Sequence, residues 1–137
     1  MLFNKYTPTN NEFYRILFRN LHYANAPMNY NYYGASTYNS MVNGDLHKCL
    51  KVDYNILNPV VKHSVYENFD DRLFLETMFG VKYLIKNKVN AYTPSYGYKL
   101  NNKTNNYYIY QNNYNVGFDL WYRNTIKRKD YDKMNIA

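Results

Sequence analysis

Cysteine is almost absent from this sequence, and its scarcity excludes two common ways of stabilising a small domain. The chain of 137 residues contains one cysteine, Cys49. A disulfide bond within the chain is therefore excluded, and so is a CxxC pair that could bind zinc. Cys49 lies at helical spacing from Leu46 and Leu50, so we interpret it as a small apolar side chain of a helix rather than as a nucleophile.

Patterns typical of metal, nucleotide and hydrolase sites are also missing. The three histidines have no HxH or HExxH spacing and no cysteine partner. With five glycines the chain has no GxGxxG, GxxxxGK or GxSxG motif. The triplet Asp130–Asp132 resembles the metal-holding triplet of some sugar-nucleotide transferases, but two carboxylates at this spacing recur by chance. We therefore expect no metal, no cofactor and no catalytic residue in this chain.

Long apolar runs are absent as well. No run approaches the roughly 20 residues that span a bilayer, and Met1 leads into polar residues without the pattern of a signal peptide. These absences predict a soluble chain. Its length fits a single domain over residues 1–137, and we expect a folded part over residues 12–124 and a basic tail over 125–137.

Tyrosine, in contrast, is abundant, with 19 residues. Several tyrosines lie in polar, loop-like settings. We identify four aromatic residues as candidates for substrate binding: Tyr92, Tyr96, Tyr98 and Trp121. Exposed rings can stack on sugars or on bases, and each base contact contributes about 1–3 kcal/mol. The alternative is that these rings cover the edge of the core and expose only their hydroxyl groups.

The charge is positive, with 17 basic and 10 acidic residues and a net charge of +7. Such a charge permits contact with nucleic acid, anionic polymers or anionic lipid and selects none of them. A small nucleic-acid-binding module is therefore an alternative function. It ranks lower because the basic residues are scattered and the strand-like segment Tyr107–Asn112 carries none of them. A free-standing enzyme ranks lowest because no acid–base or nucleophile pair is recognisable.

The first half of the chain predicts strands, followed by a helix. Glu12–Phe18 is predicted as a strand in which Phe13, Leu17 or their neighbours face inward. A short strand is predicted at Ala35–Tyr38. A helix is predicted to follow Asn43, whose side chain can cap it.

The stretch Asp70–Asn87 predicts a helix that leads directly into a strand. Asp70 is predicted to cap the helix, and Asp71 to favour its positive end. The apolar residues over 73–79 predict a helix that is buried on nearly all sides. Gly80 fits the left-handed residue that ends a helix, and the strand Val81–Ile85 follows.

Two further strands are predicted at Tyr107–Asn112 and Gly117–Tyr122, and Leu100–Asn106 is predicted to be an exposed loop. The order of these elements predicts a single α+β domain. Its sheet is expected to be mixed or antiparallel, with about four to five strands and two to three helices packed on it.

Four segments, taken in order, resemble the extracytoplasmic segment of the YfhO family of bacterial polytopic membrane proteins. They are "FYRI" (Phe13–Ile16), "GASTYNSMVN" (Gly34–Asn43), "LFLETMFGVKYLI" (Leu73–Ile85) and "YYIYQNNYNVGFDLWY" (Tyr107–Tyr122). The family pattern has a "yRi" strand, a "YsS" segment, a helix leading into "lgVkYli", and "iYeN" before an aromatic strand. Two departures are Gln111, where the family usually has glutamate, and "YNSM" in place of "YSS".

The resemblance implies that the chain belongs to a multi-spanning membrane glycosyltransferase that uses polyprenyl-phosphate sugars to modify cell-envelope polymers such as teichoic acids. The catalytic acid of such enzymes lies in an outer loop that nothing in this chain matches. The resemblance therefore implies a non-catalytic, extracytoplasmic accessory domain, cut from a larger polytopic protein and partnered by the membrane part of its own parent chain. Binding of an anionic cell-wall polymer is a further expectation, and nucleic acid is not the expected partner.

Overall fold

A computed structural model describes residues 6, 12–19, 25–38, 43–56, 65–66, 69–89, 93–94, 96–117 and 123–134. Within these residues a four-stranded sheet, a two-stranded sheet and four short α-helices confirm the α+β class.

The main sheet is mixed, as the sequence predicts. Its strands are β1 (Arg15–Arg19), β4 (Val81–Asn87), β5 (Tyr98–Lys103) and β6 (Tyr107–Asn112). They lie in the order β1-β4-β6-β5. The pair β1–β4 is parallel, and the pairs β4–β6 and β5–β6 are antiparallel. A separate antiparallel pair joins β2 (Thr37–Tyr38) to β3 (Val65–Tyr66), so the short strand predicted at Ala35–Tyr38 is confirmed in its second half.

The described helices are short. They are α1 (Ala26–Tyr30), α2 (Gly44–Lys48), α3 (Leu73–Met78) and α4 (Arg128–Tyr131), and α2 continues as a π-helical turn over Cys49–Asp53. The capping role predicted for Asn43 is confirmed. Its side chain accepts hydrogen bonds from the backbone N–H groups of Asp45 and Leu46, at 2.9 and 3.2 Å, and so satisfies donors that the first turn of a helix leaves free.

The capping role predicted for Asp70 is wrong. The residue before α3 is Arg72, and no side chain caps the helix there. Asp70 and Asp71 both adopt positive φ angles, 55° and 59°, in the turn that precedes α3. The carboxylate of Asp70 accepts a hydrogen bond from Arg72 at 3.3 Å, and that of Asp71 forms an ion pair with Arg19. Both carboxylates are therefore engaged by arginines rather than by the free N–H groups of the helix.

The predicted end of α3 is confirmed, whereas its predicted burial on all sides is wrong. Gly80 has a φ of 70°, and its N–H donates to the carbonyl oxygen of Thr77 at 2.9 Å. Leu75 and Glu76 are buried, but the side chain of Phe74 is 68% exposed. The helix therefore packs against the sheet through one face only. Phe74 lies outside that contact, and no described element covers it.

The main sheet buries both of its faces, and β1 and β4 contribute to each. On the face covered by α3, called the α3 face, Leu17 pairs with Leu84 and both contact the cluster that contains Leu75. The opposite face, called the tyrosine face, is formed by Tyr6, Tyr14, Ile16, Phe18, Tyr32, Ile85 and Ile109. Burial on two sides explains the nearly continuous apolar runs in these strands. The inward orientation predicted for Leu17 is confirmed, whereas Phe13 lies before β1 and is exposed.

The exposed loop predicted over Leu100–Asn106 is wrong in its first part. The residues as far as Lys103 belong to β5, and only 104–106 connect it to β6. Since β5 lies at an edge of the sheet and contains a register shift between Leu100 and Asn102, its residues are largely polar and show no clean alternation. The strand predicted at Gly117–Tyr122 lies outside the described residues except for Gly117.

A contact distant in sequence links α4 to the π-helical turn. The guanidinium of Arg128 donates two hydrogen bonds to the carboxylate of Asp53, each of 2.7 Å. The same arginine donates to Asp132, four residues further along α4, at 2.7 Å. The basic tail expected from the sequence therefore contains a short helix whose arginine pairs with a residue of the folded part.

Candidate functional site

The register of the main sheet arranges the side chains of the α3 face in rows that cross the strands, because directly paired residues point to the same side of a sheet. The middle row is apolar and consists of Leu17, Leu84, Tyr110 and Leu100. The neighbouring row, called the basic row, consists of Arg19, Lys86, Tyr108 and Lys103. The candidate functional groups lie in the basic row and at the opposite end of the sheet, where β5 begins.

Tyr96, predicted from the sequence to bind substrate, is 85% exposed just before β5. Its partner is Tyr114, which follows β6 and is also exposed. The hydroxyl of Tyr114 donates to that of Tyr96 at 3.3 Å, and the ring centroids are 6.4 Å apart at an interplanar angle of 37°. The hydrogen bond with Tyr96 raises the pKa of Tyr114. Together these residues, called the tyrosine pair, present two ring surfaces to solvent.

The tyrosine pair is attached to the folded part of the molecule. The buried Asn112 accepts a hydrogen bond from the backbone N–H of Tyr114 at 2.9 Å and donates to the carbonyl oxygen of Val81 at 3.0 Å. Gly97 has a φ of 98°, and a Cβ atom there would overlap Leu73 and lie 3.0 Å from the Tyr114 ring. Glycine at this position therefore lets the Tyr114 ring pack closely against the loop that carries Tyr96.

Tyr98, also predicted to bind substrate, is half-buried on the α3 face. Its ring packs against the cluster that contains Leu84, and its hydroxyl donates to the carboxylate of Glu76 at 2.9 Å. This is the arrangement in which a tyrosine ring covers the edge of the core. A ligand-binding role for Tyr98 stays a prediction, as it does for Tyr92 and Trp121, which lie outside the described residues.

Glu76 is the centre of a charged network under α3. It is 0% exposed. One carboxylate oxygen accepts a hydrogen bond from Arg19 at 3.1 Å, and the other accepts from Tyr98 at 2.9 Å. Arg19 also forms an ion pair with Asp71. Both oxygens of the buried carboxylate are thus hydrogen-bonded, which is the condition for burying a charge without a large penalty.

The basic row is the second feature of the α3 face. Lys86 is 1% exposed, and its burial, together with the adjacent Arg19, lowers its pKa. Lys88 is the first residue after β4, and its ammonium lies 5.3 Å from the centroid of the Tyr108 ring. Lys103, at the end of β5, is exposed. Three lysines therefore surround one tyrosine ring.

Sequence reasoning missed the basic row and Tyr114. The four residues of the row come from four strands, and only Lys103 and Tyr108 lie close together in the sequence. Only strand order and register bring them together. Tyr114 lies within the "NNYN" turn, where its asparagine neighbours signal a turn but not a ring packed beside Tyr96.

Metal ligands and thiols are two kinds of group that commonly carry covalent chemistry. Among the described residues, no group of three or more histidine, cysteine, aspartate or glutamate side chains could hold a metal ion. Cys49 is partly buried, and burial followed by the charge of Asp53 raises its pKa, which makes it a poor nucleophile. The candidate groups that remain accessible are the tyrosine pair, Lys103 of the basic row and the half-buried Lys88 beside it.

Comparison with known proteins identifies the family. The family model described as "Bacterial membrane protein YfhO" matches residues 2–137. The chain belongs to the YfhO family. The resemblance drawn from the four sequence segments is therefore confirmed. A YfhO relative, "Uncharacterized protein YfhO" of Bacillus subtilis (strain 168), is 32% identical over 94 residues, which are 69% of this chain and 11% of the relative.

This chain thus corresponds to a small part of the length of that YfhO relative. In the part of the chain that the structure describes, no helix has the length and apolar character needed to cross a membrane. No solved structure matches the chain.

Proposed function

We propose that this chain is an extracytoplasmic accessory domain of a multi-spanning YfhO-family glycosyltransferase, which uses polyprenyl-phosphate sugars to modify cell-envelope polymers such as teichoic acids. The domain itself is non-catalytic. Its task is to contact the sugar units of the anionic polymer that accepts the transferred sugar, next to the membrane part of the parent chain.

The tyrosine pair is the observation that supports this proposal. A tyrosine ring has an apolar face that can stack on the C–H face of a sugar and a hydroxyl that can bond to the sugar's own hydroxyl groups. The rings of Tyr96 and Tyr114 are exposed, and the buried Asn112 holds the backbone of Tyr114. Rings held in place before binding lose little conformational freedom when a ligand arrives.

The charge of the chain supports an anionic polymer. Nine basic side chains of the described residues are exposed, and they are Lys48, Lys51, Lys99, Lys103, Arg123, Lys127, Arg128, Lys129 and Lys133. A positive surface increases the rate at which an anionic polymer associates. The same surface would attract nucleic acid, so charge by itself does not discriminate between the two partners.

A titration followed by amide NMR shifts tests the proposal. The 137-residue chain is titrated with polyglycerol-phosphate teichoic acid that carries sugar substituents, and separately with the same polymer without sugars. We expect saturating shifts at Tyr96, Gly97 and Tyr114 with the sugar-bearing polymer only. Replacing both tyrosines of the pair by alanine should weaken this binding by about tenfold, since each stacked ring contributes about 1–3 kcal/mol in base recognition and somewhat less is expected for sugars.

Tyr131→Ala provides the matched control, because Tyr131 is an exposed tyrosine at a distant site on α4. Its binding curve should coincide with that of the unchanged chain. Identical shifts with both polymers, or a loss of binding that is as large in Tyr131→Ala, would contradict a sugar-contacting role for the tyrosine pair.

A short single-stranded oligonucleotide tests the alternative function. An open sheet surface that binds nucleic acid interleaves basic and aromatic side chains, and Tyr108 does lie between Lys86 and Lys103 in the basic row. Lys86 is buried, however, and the middle row beside it packs under α3. We therefore expect weak oligonucleotide shifts that disappear as salt is added. Saturating shifts that persist in salt and spread over the basic row would favour the nucleic-acid-binding function instead.

A further inference from the structure

A second cluster of accessible groups lies at the opposite end of the main sheet from the tyrosine pair. It consists of Lys88, Lys103 and Tyr108, and we call it the lysine–tyrosine cluster. The register places Lys103 directly beside Tyr108 on the α3 face, and the Lys88 ammonium lies 5.3 Å from the centroid of the same ring. The cluster thus brings two lysines and one tyrosine together at one end of the sheet.

The charge around this cluster is not balanced by the described carboxylates. Asp71 and Glu76 are both engaged by Arg19. Among the residues that the structure describes, neither Lys88 nor Lys103 forms an ion pair with a carboxylate. Arg19 and Lys86 stand directly opposite each other on paired strands, an arrangement that like charges disfavour. Lys88 and Lys103 are therefore two cations whose charge no carboxylate of the described residues neutralises.

The surroundings strengthen the field of these charges. The neighbouring middle row is apolar, and Lys86 is buried beside Tyr108. A charge that borders an apolar, weakly polarisable interior is screened less than one in open water. Lys88 is half-buried and Lys103 is exposed beside this interior, so their charges attract an anion more strongly than they would in open water.

The backbone under the cluster is held in place. The N–H of Tyr107 donates to the hydroxyl of Thr104 at 3.1 Å, and the N–H of Thr104 donates to the carbonyl oxygen of Tyr107 at 2.9 Å. The N–H of Lys88 donates to the carbonyl oxygen of Asn106 at 2.9 Å, which ties the end of β4 to the turn between β5 and β6. These hydrogen bonds fix the backbone from which the two lysine side chains extend.

We infer that the lysine–tyrosine cluster binds a phosphoryl group. Two ammonium groups supply point charges and hydrogen-bond donors, and the Tyr108 hydroxyl supplies a neutral donor, for an anion with several oxygens. The phosphoryl group can belong to a phosphate polymer or to an anionic lipid headgroup. The inference rests on the proposed function only in expecting such a phosphate outside the cell, because the cluster and the tyrosine pair share no residue.

Inorganic pyrophosphate is the probe that tests this inference. The 137-residue chain is titrated at constant ionic strength with chloride as the balancing anion, and amide and lysine side-chain shifts are followed by NMR. We expect saturating shifts at Lys88, Lys103 and Tyr108. The double variant Lys88→Gln with Lys103→Gln should bind about tenfold more weakly, because it removes both ammonium groups that contact the anion.

Lys99→Gln is the matched control, since Lys99 is exposed on the same strand β5 but pairs with Gln111 in a row of the tyrosine face. It removes one charge as well and should bind pyrophosphate as the unchanged chain does. The single variant Lys103→Gln, at an exposed position, keeps the test valid should the double variant not fold. Shifts that do not saturate, or that fall equally in Lys99→Gln, would overturn the inference.

Two further titrations identify the source of the phosphate and separate the two proposals. Vesicles of phosphatidylglycerol represent a lipid headgroup, and unsubstituted polyglycerol phosphate represents a polymer. The source is the one whose binding the double lysine variant loses. Loss of sugar-dependent shifts at Tyr96 with pyrophosphate binding intact would refute the proposed function alone, and the reverse result would refute the phosphoryl site alone.

Discussion

The two faces of the main sheet bury polar groups in opposite ways. The tyrosine face buries neutral hydroxyl groups, such as that of Tyr14, which donates to the carbonyl oxygen of Tyr6 at 2.8 Å. The α3 face buries ionisable groups, namely Glu76 of α3 and Lys86 of the basic row. Both faces use the same central strands, β1 and β4, so the difference is not one of position in the fold.

The two faces therefore differ in the free-energy cost of burying their polar groups. A tyrosine buries a large ring at the cost of one hydroxyl, which a backbone carbonyl can satisfy. A buried lysine or glutamate is expensive to desolvate and rarely adds stability compared with an apolar residue. The charged groups on the α3 face are therefore consistent with the phosphoryl site that we infer there. Mutations and changes of pH should therefore affect the stability of the two faces differently.

The largest expected effect comes from removing the buried carboxylate of the α3 face. Glu76→Gln should lower the free energy of unfolding by about 3 kcal/mol, because it leaves the mostly buried Arg19 with less compensating charge. Urea unfolding measures the change. Glu12→Gln is the matched control, since Glu12 pairs with Lys82 on the surface, and its cost should stay below about 1 kcal/mol. Equal costs at the two sites would show that burial of the network adds nothing.

The tyrosine face should respond to alkaline pH. Burial raises the pKa of both Tyr14 and Tyr32 to about 12. In the unfolded chain a tyrosine loses its proton near pH 10, so the folded state binds more protons between about pH 10 and 12. The stability that these residues contribute is complete below that window and falls as pH rises through it, by about 2 kcal/mol for each residue.

Urea unfolding at a series of pH values measures this slope. Tyr14→Phe should be less stable at neutral pH, because it loses the hydrogen bond to Tyr6, but its stability should fall less steeply above about pH 10. Tyr33→Phe is the control, as Tyr33 is exposed, and should keep the full slope. An unchanged slope in Tyr14→Phe would place the alkaline loss elsewhere.

A glycine at the start of β5 should be needed for the close packing between the tyrosine pair and α3. Gly97→Ala should cost about 2 kcal/mol, because a φ of 98° strains any side chain and the added Cβ would overlap Leu73. Gly44→Ala is the contrast, since nothing lies within 4 Å of its Cβ position in the first turn of α2. It should stabilise by about 0.5 kcal/mol. Thermal unfolding of both variants decides, and a neutral Gly97→Ala would contradict the tight packing.

The sequence predicted elements whose signals are local. Three such predictions are confirmed, and each depends on the residue type at one place in the chain. They are the strand that begins at Val81, the cap at Asn43 and the glycine that ends α3, Gly80. The strand β5 was missed because an edge strand needs no apolar alternation. The capping role predicted for Asp70 was wrong because arginines pair with the carboxylates of this turn. Arg72 pairs with Asp70, and Arg19, distant in sequence, pairs with Asp71.

The candidate sites are harder to predict, because turns and strand register rather than local signals bring their residues together. Tyr96 was found because an exposed loop tyrosine is visible in the sequence, whereas its partner Tyr114 is placed by a turn. The basic row depends on a parallel pairing of β1 with β4 and an antiparallel pairing of β4 with β6. A change of one residue in either register would send Lys86 or Tyr108 to the other face, and no single segment encodes that register.

The smallest expected effect is a gain in stability. Lys86→Met should raise the free energy of unfolding by about 1 kcal/mol at neutral pH, because burial and then the charge of Arg19 lower the pKa of this lysine and so disfavour its charged form. The gain should shrink at alkaline pH, since the folded state releases the lysine proton before the unfolded chain does, and its stability rises with pH in that range. The α3 face thus gains stability in base, where the tyrosine face loses it.

The variant Lys86→Met should also bind pyrophosphate more weakly, because a cation behind the lysine–tyrosine cluster is gone. A variant that is more stable and also binds less would show that this face trades stability for an anion site, whereas a loss of stability at every pH would show that Lys86 supports the fold itself.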